Sequence, residues 1–307
     1  MSPGYFRFPT LHEDTVIFVC EDDLWTVPAA GGIARRLTAG LGEISWPSLS
    51  QGGQFVAFVG REEGQPDIYV MAADGGHPQR LTFLGNHDCR TAGWTADGRI
   101  IFSHSAAQPF EELIQLYTLN LETSQVEKIN VGPASTISFG SNGGVVIGHN
   151  LRSPAHWKRY RGGMTGQIWI DQSGNGQFDP LIELAGNLDN PIWIADRIYF
   201  LSDHEGISNI YSCSPAGDDL RRHTAHDNFY ARNISSDGRR IVYHAGAEMF
   251  IFDPSLEQSY QIPVEHFSSQ TQRNRKFVSA SAYLEGWSLH PSGKGIAITS
   301  RGKPFAF

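Results

Sequence analysis

Cysteine is scarce in this 307-residue chain: Cys20, Cys89 and Cys213 are odd in number, widely spaced and never form a CxxC pair. That argues against a disulfide framework or a cysteine zinc site and fits a reducing compartment. Charge is also sparse, at 18% of residues, and the net value is −8. A net negative charge argues against a nucleic-acid partner, which would favour a basic face. No apolar run reaches the ~18 residues of a membrane-spanning helix. The N-terminus, MSPGYFRFPTLHEDTVIF, lacks the basic and apolar segments of a leader. The expectation is a soluble, cytoplasmic protein with neither a membrane nor a nucleic-acid partner. Catalytic signatures are missing as well: there is no HExxH and no GxSxG elbow.

What the chain has is glycine, proline and aromatics: 33 Gly, 16 Pro, 18 Phe, 10 Tyr and 7 Trp. This is a turn-rich composition with enough ring volume to fill the space between stacked sheets. The stretch Trp46 to Thr82 shows how it is used. Ser48-Leu49-Ser50, Phe55 to Val59, Asp67 to Met71 and Gln79 to Thr82 read as four short strands. Gly52-Gly53 and Asp74-Gly75-Gly76 supply the turns between them. The first unit, Tyr5 to Thr38, ends the same way, with a small-residue turn, a basic pair and Leu37-Thr38. From Thr38 to Thr82 is 44 residues, and four strands at a period near ~40 indicate propeller blades.

Four more units follow. The third opens at Trp94 and contains Leu113 to Leu119; the fourth, from about Thr136, is interrupted by the basic aromatic stretch His156 to Gly163. The fifth carries Arg197 to Leu201 and Asn209 to Cys213, and the sixth Ile241 to His244 and Glu248 to Phe252. The fold class expected is all-β, a six-bladed β-propeller of four-stranded antiparallel blades over residues 1–267. A polar linker covers 268–279. Residues 280–307 read as the opening strands of a further propeller, cut off before its outer strands. The alternative is that these last strands pair with the first unit and lock the ring.

Candidate chemistry is thin. Asp203-His204-Glu205 could meet a cation, but such clusters commonly close hairpins. Asp171 to Gly176 superficially resembles a calcium loop, yet it lacks acids at the third and fifth positions and the closing Glu. Asp22-Asp23 opens a strand. No metal and no cofactor is expected. Trp157 to Gly163 has the composition to hold a carboxylate or phosphate, and equally that of a solvated loop. Arg90 sits in the loop before the third unit, where inter-blade loops emerge beside the central channel.

Several irregular motifs resemble the tricorn protease family. They are Phe18 to Trp25 (FVCEDDLW), Ala107 to Phe110, His156 to Gly163, Arg197 to Asp203, Asp219 to Thr224 and Ser236 to Ile241. The resemblance runs over essentially the whole chain. It implies a six-bladed propeller followed by a seven-bladed one, beginning here near Ala280. A PDZ-like domain and α/β domains bearing a Ser-His-Ser-Glu tetrad would lie beyond, so no catalytic residue falls within these 307. It also implies a hexameric peptidase that trims oligopeptides downstream of the proteasome, with the six-bladed propeller as a path for short products. The family anchors the substrate C-terminus with an arginine pair before the third blade. Only Arg90 stands there in this chain, so substrate binding would rest on one guanidinium. Two other readings stand beside this one: a TolB-like scaffold that binds partner proteins on a rim, and a propeller enzyme acting on a small molecule with metal or acidic residues in its channel.

Overall fold

The computed structural model describes residues 4–85, 88–150, 158–268, 270 and 279–307. These fall into two compact units, Met1–Phe267 and Ser268–Phe307. Among the described residues the first unit forms six antiparallel sheets of four strands, each in simple sequential order. Blade 1 comprises Arg7–His12, Thr15–Cys20, Asp23–Pro28 and Arg35–Arg36. Blade 2 comprises Ser45–Leu49, Phe55–Gly60, Asp67–Ala72 and Gln79–Arg80, and blade 3 Cys89–Trp94, Ile100–His104, Gln115–Leu119 and Val126–Lys128. Blade 4 is Thr136–Phe139, Val145–His149, Gln167–Asp171 and Asp179–Pro180; blade 5 is Leu188–Ile194, Arg197–Ser202, Asn209–Cys213 and Arg221–Arg222. Blade 6 is Ala231–Ser236, Ile241–Ala245, Glu248–Asp253 and Gln258–Gln261.

Alternation along the middle strands explains the architecture. Val56 and Phe58 face blade 1 and pack with Ile17, Val19 and Leu24. The intervening Ala57 and Val59 face blade 3 and pack with Ile100 and Phe102. Both faces are therefore apolar, and a single blade would leave one of them wet. Equivalent clusters join blades 3 to 4, 4 to 5, 5 to 6 and 6 to 1. Burial of such side chains contributes about 1.5–3 kcal/mol apiece, and only a ring of blades buries every face.

The repeated ending seen in the sequence is a polar clasp. In blade 2 the Thr82 hydroxyl accepts from the Ile68 N–H (2.9 Å) and donates to Asp67 Oδ1 (2.7 Å). Arg80 donates to Asp67 Oδ2 (2.7 Å) and to the Thr82 carbonyl (3.1 Å). Blade 1 repeats the clasp with Asp23, Arg36 and Thr38, and blade 5 with Asn209, Arg222 and Thr224. An outer strand of two residues has few ladder bonds, and the clasp fixes it to the strand beside it.

Blade 6 meets blade 1 through a parallel pair, Val264–Glu265 against Gly32–Ile33. The Gly32 N–H donates to the Pro263 carbonyl and the Ala34 N–H to that of Glu265, both at 2.9 Å. The ring is thus latched by backbone bonds as well as by packing. In the second unit, Leu284–Leu289, Ile296–Ser300 and Lys303–Ala306 form a three-stranded sheet of their own after one 3₁₀ turn, Ala280–Tyr283. The strand Lys303–Ala306 was not expected from the sequence.

Other differences are local. Blade 3 opens at Cys89 rather than Trp94, and the blade 1 inner strand Arg7–His12 was not recognised as a strand. Inner strands hide in the sequence because prolines and bulges break their alternation. Pro9, Pro47 and Pro191 are tolerated because an inner strand is laddered on one edge only. The segment expected as Leu113 to Leu119 is a strand only over Gln115–Leu119.

Two outcomes test this account. Gly31 has φ +89°, and a Cβ there would lie 2.5 Å from the Pro263 carbonyl oxygen, whereas one on Gly32 (φ +125°) meets nothing within 4 Å. Gly31→Ala should cost about 1–3 kcal/mol and lower Tm by several degrees more than Gly32→Ala; equal losses in thermal unfolding would refute a steric role at the latch. Thr82→Val should cost a further ~1–3 kcal/mol in the same assay, because it leaves the Ile68 N–H without its acceptor and removes one of the two donors to Asp67 Oδ1.

Candidate functional site

The six inner strands neighbour one another in chain order, and the last returns to the first. They enclose an axial cavity of about 540 Å³, lined from each blade in turn by Phe8, Trp46, Arg90, Thr136, Asp189 and Asn233. Its volume falls in the range of small-ligand sites. Five of the six inner strands shift register, at Arg7/Thr10, Ser45/Ser48, Thr91/Gly93, Asp189/Ile192 and Arg232/Ser235. At each irregularity lies a left-handed residue: Phe8 (φ 50°), Trp46 (52°), Gly93 (124°), Asn190 (47°) and Asn233 (51°). For bulky Phe and Trp this conformation is rare and costs roughly 1–3 kcal/mol. The bulges re-aim side chains toward the axis.

Strand register defines equivalent positions around the ring. A buried residue leads each inner strand: Phe6, Ile44, Cys89, Ser135, Leu188 and Ala231. The residue after it is Arg7, Ser45, Arg90, Thr136, Asp189 or Arg232, all but Asp189 half-buried. Arg90 therefore lies on an inner strand, paired with Ser103, and not in the preceding loop. Its guanidinium stacks 4.9 Å from the Trp46 ring centre, and its Nε is 3.5 Å from Asp88 Oδ1.

Asp189 is the member that sequence reading missed. It is 6% exposed. Burial pushes its carboxyl up to about 6, against the opposing pull of the Arg90 guanidinium and the Asn190 N–H. Cavity and register thus bring together a cation stacked on tryptophan and a buried carboxylate that feels it. Such a pair is chemically suited to a carboxylate ligand at Arg90, with Asp189 as the resident competitor. A signal existed in the sequence: Phe6-Arg7-Phe8-Pro9, Ile44-Ser45-Trp46-Pro47 and Leu188-Asp189-Asn190-Pro191 align on their prolines.

The remaining candidates serve the scaffold. Asp203 accepts from the Asn187 N–H (2.7 Å) and the Arg159 N–H (2.6 Å), while Glu205 accepts from the Tyr211 hydroxyl (2.8 Å) and Arg222 (3.0 Å). Asp171 accepts from four successive backbone N–H groups, Ser173 to Gly176, and so caps its turn. Asp23 belongs to the blade 1 clasp. Among the described residues no cluster of three His, Cys, Asp or Glu could hold a metal ion, and no helix is long and apolar enough to cross a membrane. Of the basic aromatic stretch, His156 and Trp157 lie outside the described residues, and Lys158 stands 5.2 Å over the Tyr230 ring.

One constellation mimics a catalytic triad. Ser212 Oγ is 2.7 Å from His223 Nε2, and His223 Nδ1 is 2.9 Å from Glu257 Oε2. The hydroxyl also accepts from Arg197 Nε at 2.9 Å, and Ser212 is wholly buried. A nucleophile with no approach path attacks nothing; the trio braces blade 5 against blade 6.

Six sheets thus form a closed ring around a charged axial cavity, and the Ser212, His223 and Glu257 group is sealed from solvent at its serine. Residues 3–258 match the family described as the tricorn protease N-terminal beta propeller domain. The chain belongs to the tricorn protease family and is the N-terminal propeller portion of such a protease. Tricorn protease homolog 1 of Streptomyces coelicolor is 39% identical over 311 residues, covering 98% of this chain and 28% of that protein. The crystal structure of the tricorn protease superposes with a TM-score of 0.84 at 32% identity, covering 99% of this chain and 30% of that one. This chain thus spans under a third of the length of these relatives. Sulfurisphaera tokodaii has a tricorn-like protease described as N-terminal and C-terminal subunits; they match 54% and 42% of this chain at 29% and 38% identity, and the match covers 86% and 15% of the respective subunits.

The buried carboxylate gives a measurable consequence. Asp189 binds its proton more tightly folded than unfolded, so its contribution favours the folded state at low pH and is lost as pH rises from about 4 to about 6. Asp189→Asn should therefore stabilise the chain above pH 7, by up to roughly 3 kcal/mol, and make no difference below pH 4. Denaturant melts of both proteins across pH 4–8 check this; a difference independent of pH would refute it.

Proposed function

We propose that this propeller is the non-catalytic channel domain of a tricorn-like serine peptidase, one that degrades oligopeptides downstream of the proteasome or other ATP-dependent proteases. The observation that carries the reading is the axial cavity with Arg90 and Asp189 on its wall. Arg90 offers a guanidinium to the C-terminal carboxylate of a short peptide, held in place by the Trp46 face beneath it. Asp189, near pH 6, decides how much of that positive charge a ligand feels. The nucleophile and its partners belong to the part of the parent protein that follows this propeller. The full-length protein acts in the cytoplasm as a homo-hexamer. The divided subunits of the relative support an association between propeller and C-terminal protease parts that survives a chain break.

The test is peptide binding by the 307-residue chain, paired with a fluorogenic hydrolysis assay. Short peptides with a free C-terminus should bind about tenfold more tightly than their amides, and Arg90→Ala should abolish the difference. Affinity should rise as pH falls through about 6, because protonating Asp189 removes one of the negative charges beside Arg90; Asp189→Asn should be tight throughout. No peptide should be hydrolysed. Turnover that Ser212→Ala removes would place a catalytic site within the propeller and overturn the reading.

A further inference from the structure

The register that places Arg90 places two more arginines at the equivalent positions of their own inner strands. Arg7 in blade 1 and Arg232 in blade 6 follow the buried leads Phe6 and Ala231, as Arg90 follows Cys89. All three lie over aromatic rings: Arg7 at 5.6 Å from Phe8, Arg90 at 4.9 Å from Trp46 and Arg232 at 5.7 Å from Tyr230. Phe8 and Trp46 touch, with ring centres 4.5 Å apart, so Arg7, Phe8, Trp46 and Arg90 form one continuous stack across blades 1 to 3. The rings under two of these cations belong to the two bulky residues in left-handed backbone, Phe8 and Trp46. Strain of this kind persists where the surrounding structure demands a particular side-chain position.

The charges around the three arginines differ. Arg90 has Asp88 and Asp189 beside it, and Arg7 lies 3.8 Å from Asp22. Arg232 has no ion pair among the described residues. A second cation shares its ring instead, since Lys158 Nζ stands 5.2 Å from the Tyr230 ring centre. The ring itself is fixed by its hydroxyl, which donates to the Gly206 carbonyl at 2.9 Å. The nearby acid, Asp203, is committed to the Asn187 and Arg159 backbone N–H groups. His244, opposite Arg232 in the ladder, is kept neutral by burial and by the charges of Arg232 and Arg7. Two like charges within 6 Å of one tyrosine ring centre, with no ion pair to either among the described residues, form a site for an anion.

The geometry points to a second carboxylate site, made by Arg232 and Lys158 at Tyr230, on the side of the ring opposite the blade of Arg90. Blades 3 and 6 face each other in a ring of six, so one ligand reaching both sites carries two separated carboxylates. That ligand is an acidic short peptide, its C-terminus at Arg90 and an Asp or Glu side chain at Arg232. The inference rests on the channel being a peptide path and adds a preference for acidic peptides to it.

A series of hexapeptides with a single Glu moved along an otherwise uncharged sequence, each matched with its Gln counterpart, tests this by binding to the 307-residue chain at low salt. At the position that reaches Arg232, the Glu peptide should bind about tenfold more tightly than the Gln peptide, and 0.5 M salt should shrink the gap. Arg232→Gln and Lys158→Gln should each reduce the Glu advantage while leaving the penalty for C-terminal amidation intact. Arg90→Ala should do the reverse. Equal binding of every Glu and Gln pair, or a Glu advantage unchanged in Arg232→Gln, overturns the second site and leaves the Arg90 reading standing. Failure of every free-acid peptide to bind overturns the channel reading and this inference together.

Discussion

Every blade of this propeller has two apolar faces, and that double exposure governs the rest of the structure. Val56 and Phe58 look one way along the ring while Ala57 and Val59 look the other. A sheet of this kind has no solvated side, so blades must be added until the last covers the first. The ring closes where Phe18 and Trp25 of blade 1 pack with Val242, Met249 and Ile251 of blade 6. Packing alone would leave short sheet edges open, and edges invite mispairing. The parallel pair between Val264–Glu265 and Gly32–Ile33 removes that liability with backbone bonds, beside a Gly31 that leaves no room for a side chain.

Closure also makes the channel. Once six inner strands are drawn round an axis, each has one unladdered edge, and proline, bulges and left-handed residues become tolerable there. Those irregularities are costly in isolation, and they cluster where the chain faces the cavity. Phe8 and Trp46 are the clearest cases, since each places a ring beneath an arginine. The outer strands show the opposite economy. They are as short as two residues, and clasps of Asp or Asn, Thr and Arg hold them where few ladder bonds can.

The electrostatics of the channel follow from this arrangement. Cations stand at equivalent positions in blades 1, 3 and 6, and the one in blade 3, Arg90, acts on a buried acid of blade 5, Asp189. Because burial raises its proton affinity, the balance of charge near Arg90 changes within the physiological pH range. The Ser212, His223 and Glu257 trio makes the complementary point: triad distances without access amount to a brace.

The all-β class, six repeats and the family were legible from sequence because the middle strands alternate on both faces and the blade endings recur, Leu37-Thr38 as Leu81-Thr82. These are local patterns, and local pattern is what a linear reading can see. Arg90 was legible as a residue, but its position was not: the strand around it is too irregular to be recognised. Asp189 was invisible, as was its meeting with Arg90, 99 residues away in the chain. Arg7 and Arg232 were equally separate until ring closure brought blade 6 beside blade 1, and Lys158 until the blade 4 insertion met Tyr230. Register around a closed ring is a property of all six blades together, so burial, charge neighbourhood and the character of the channel were decided only by the tertiary structure.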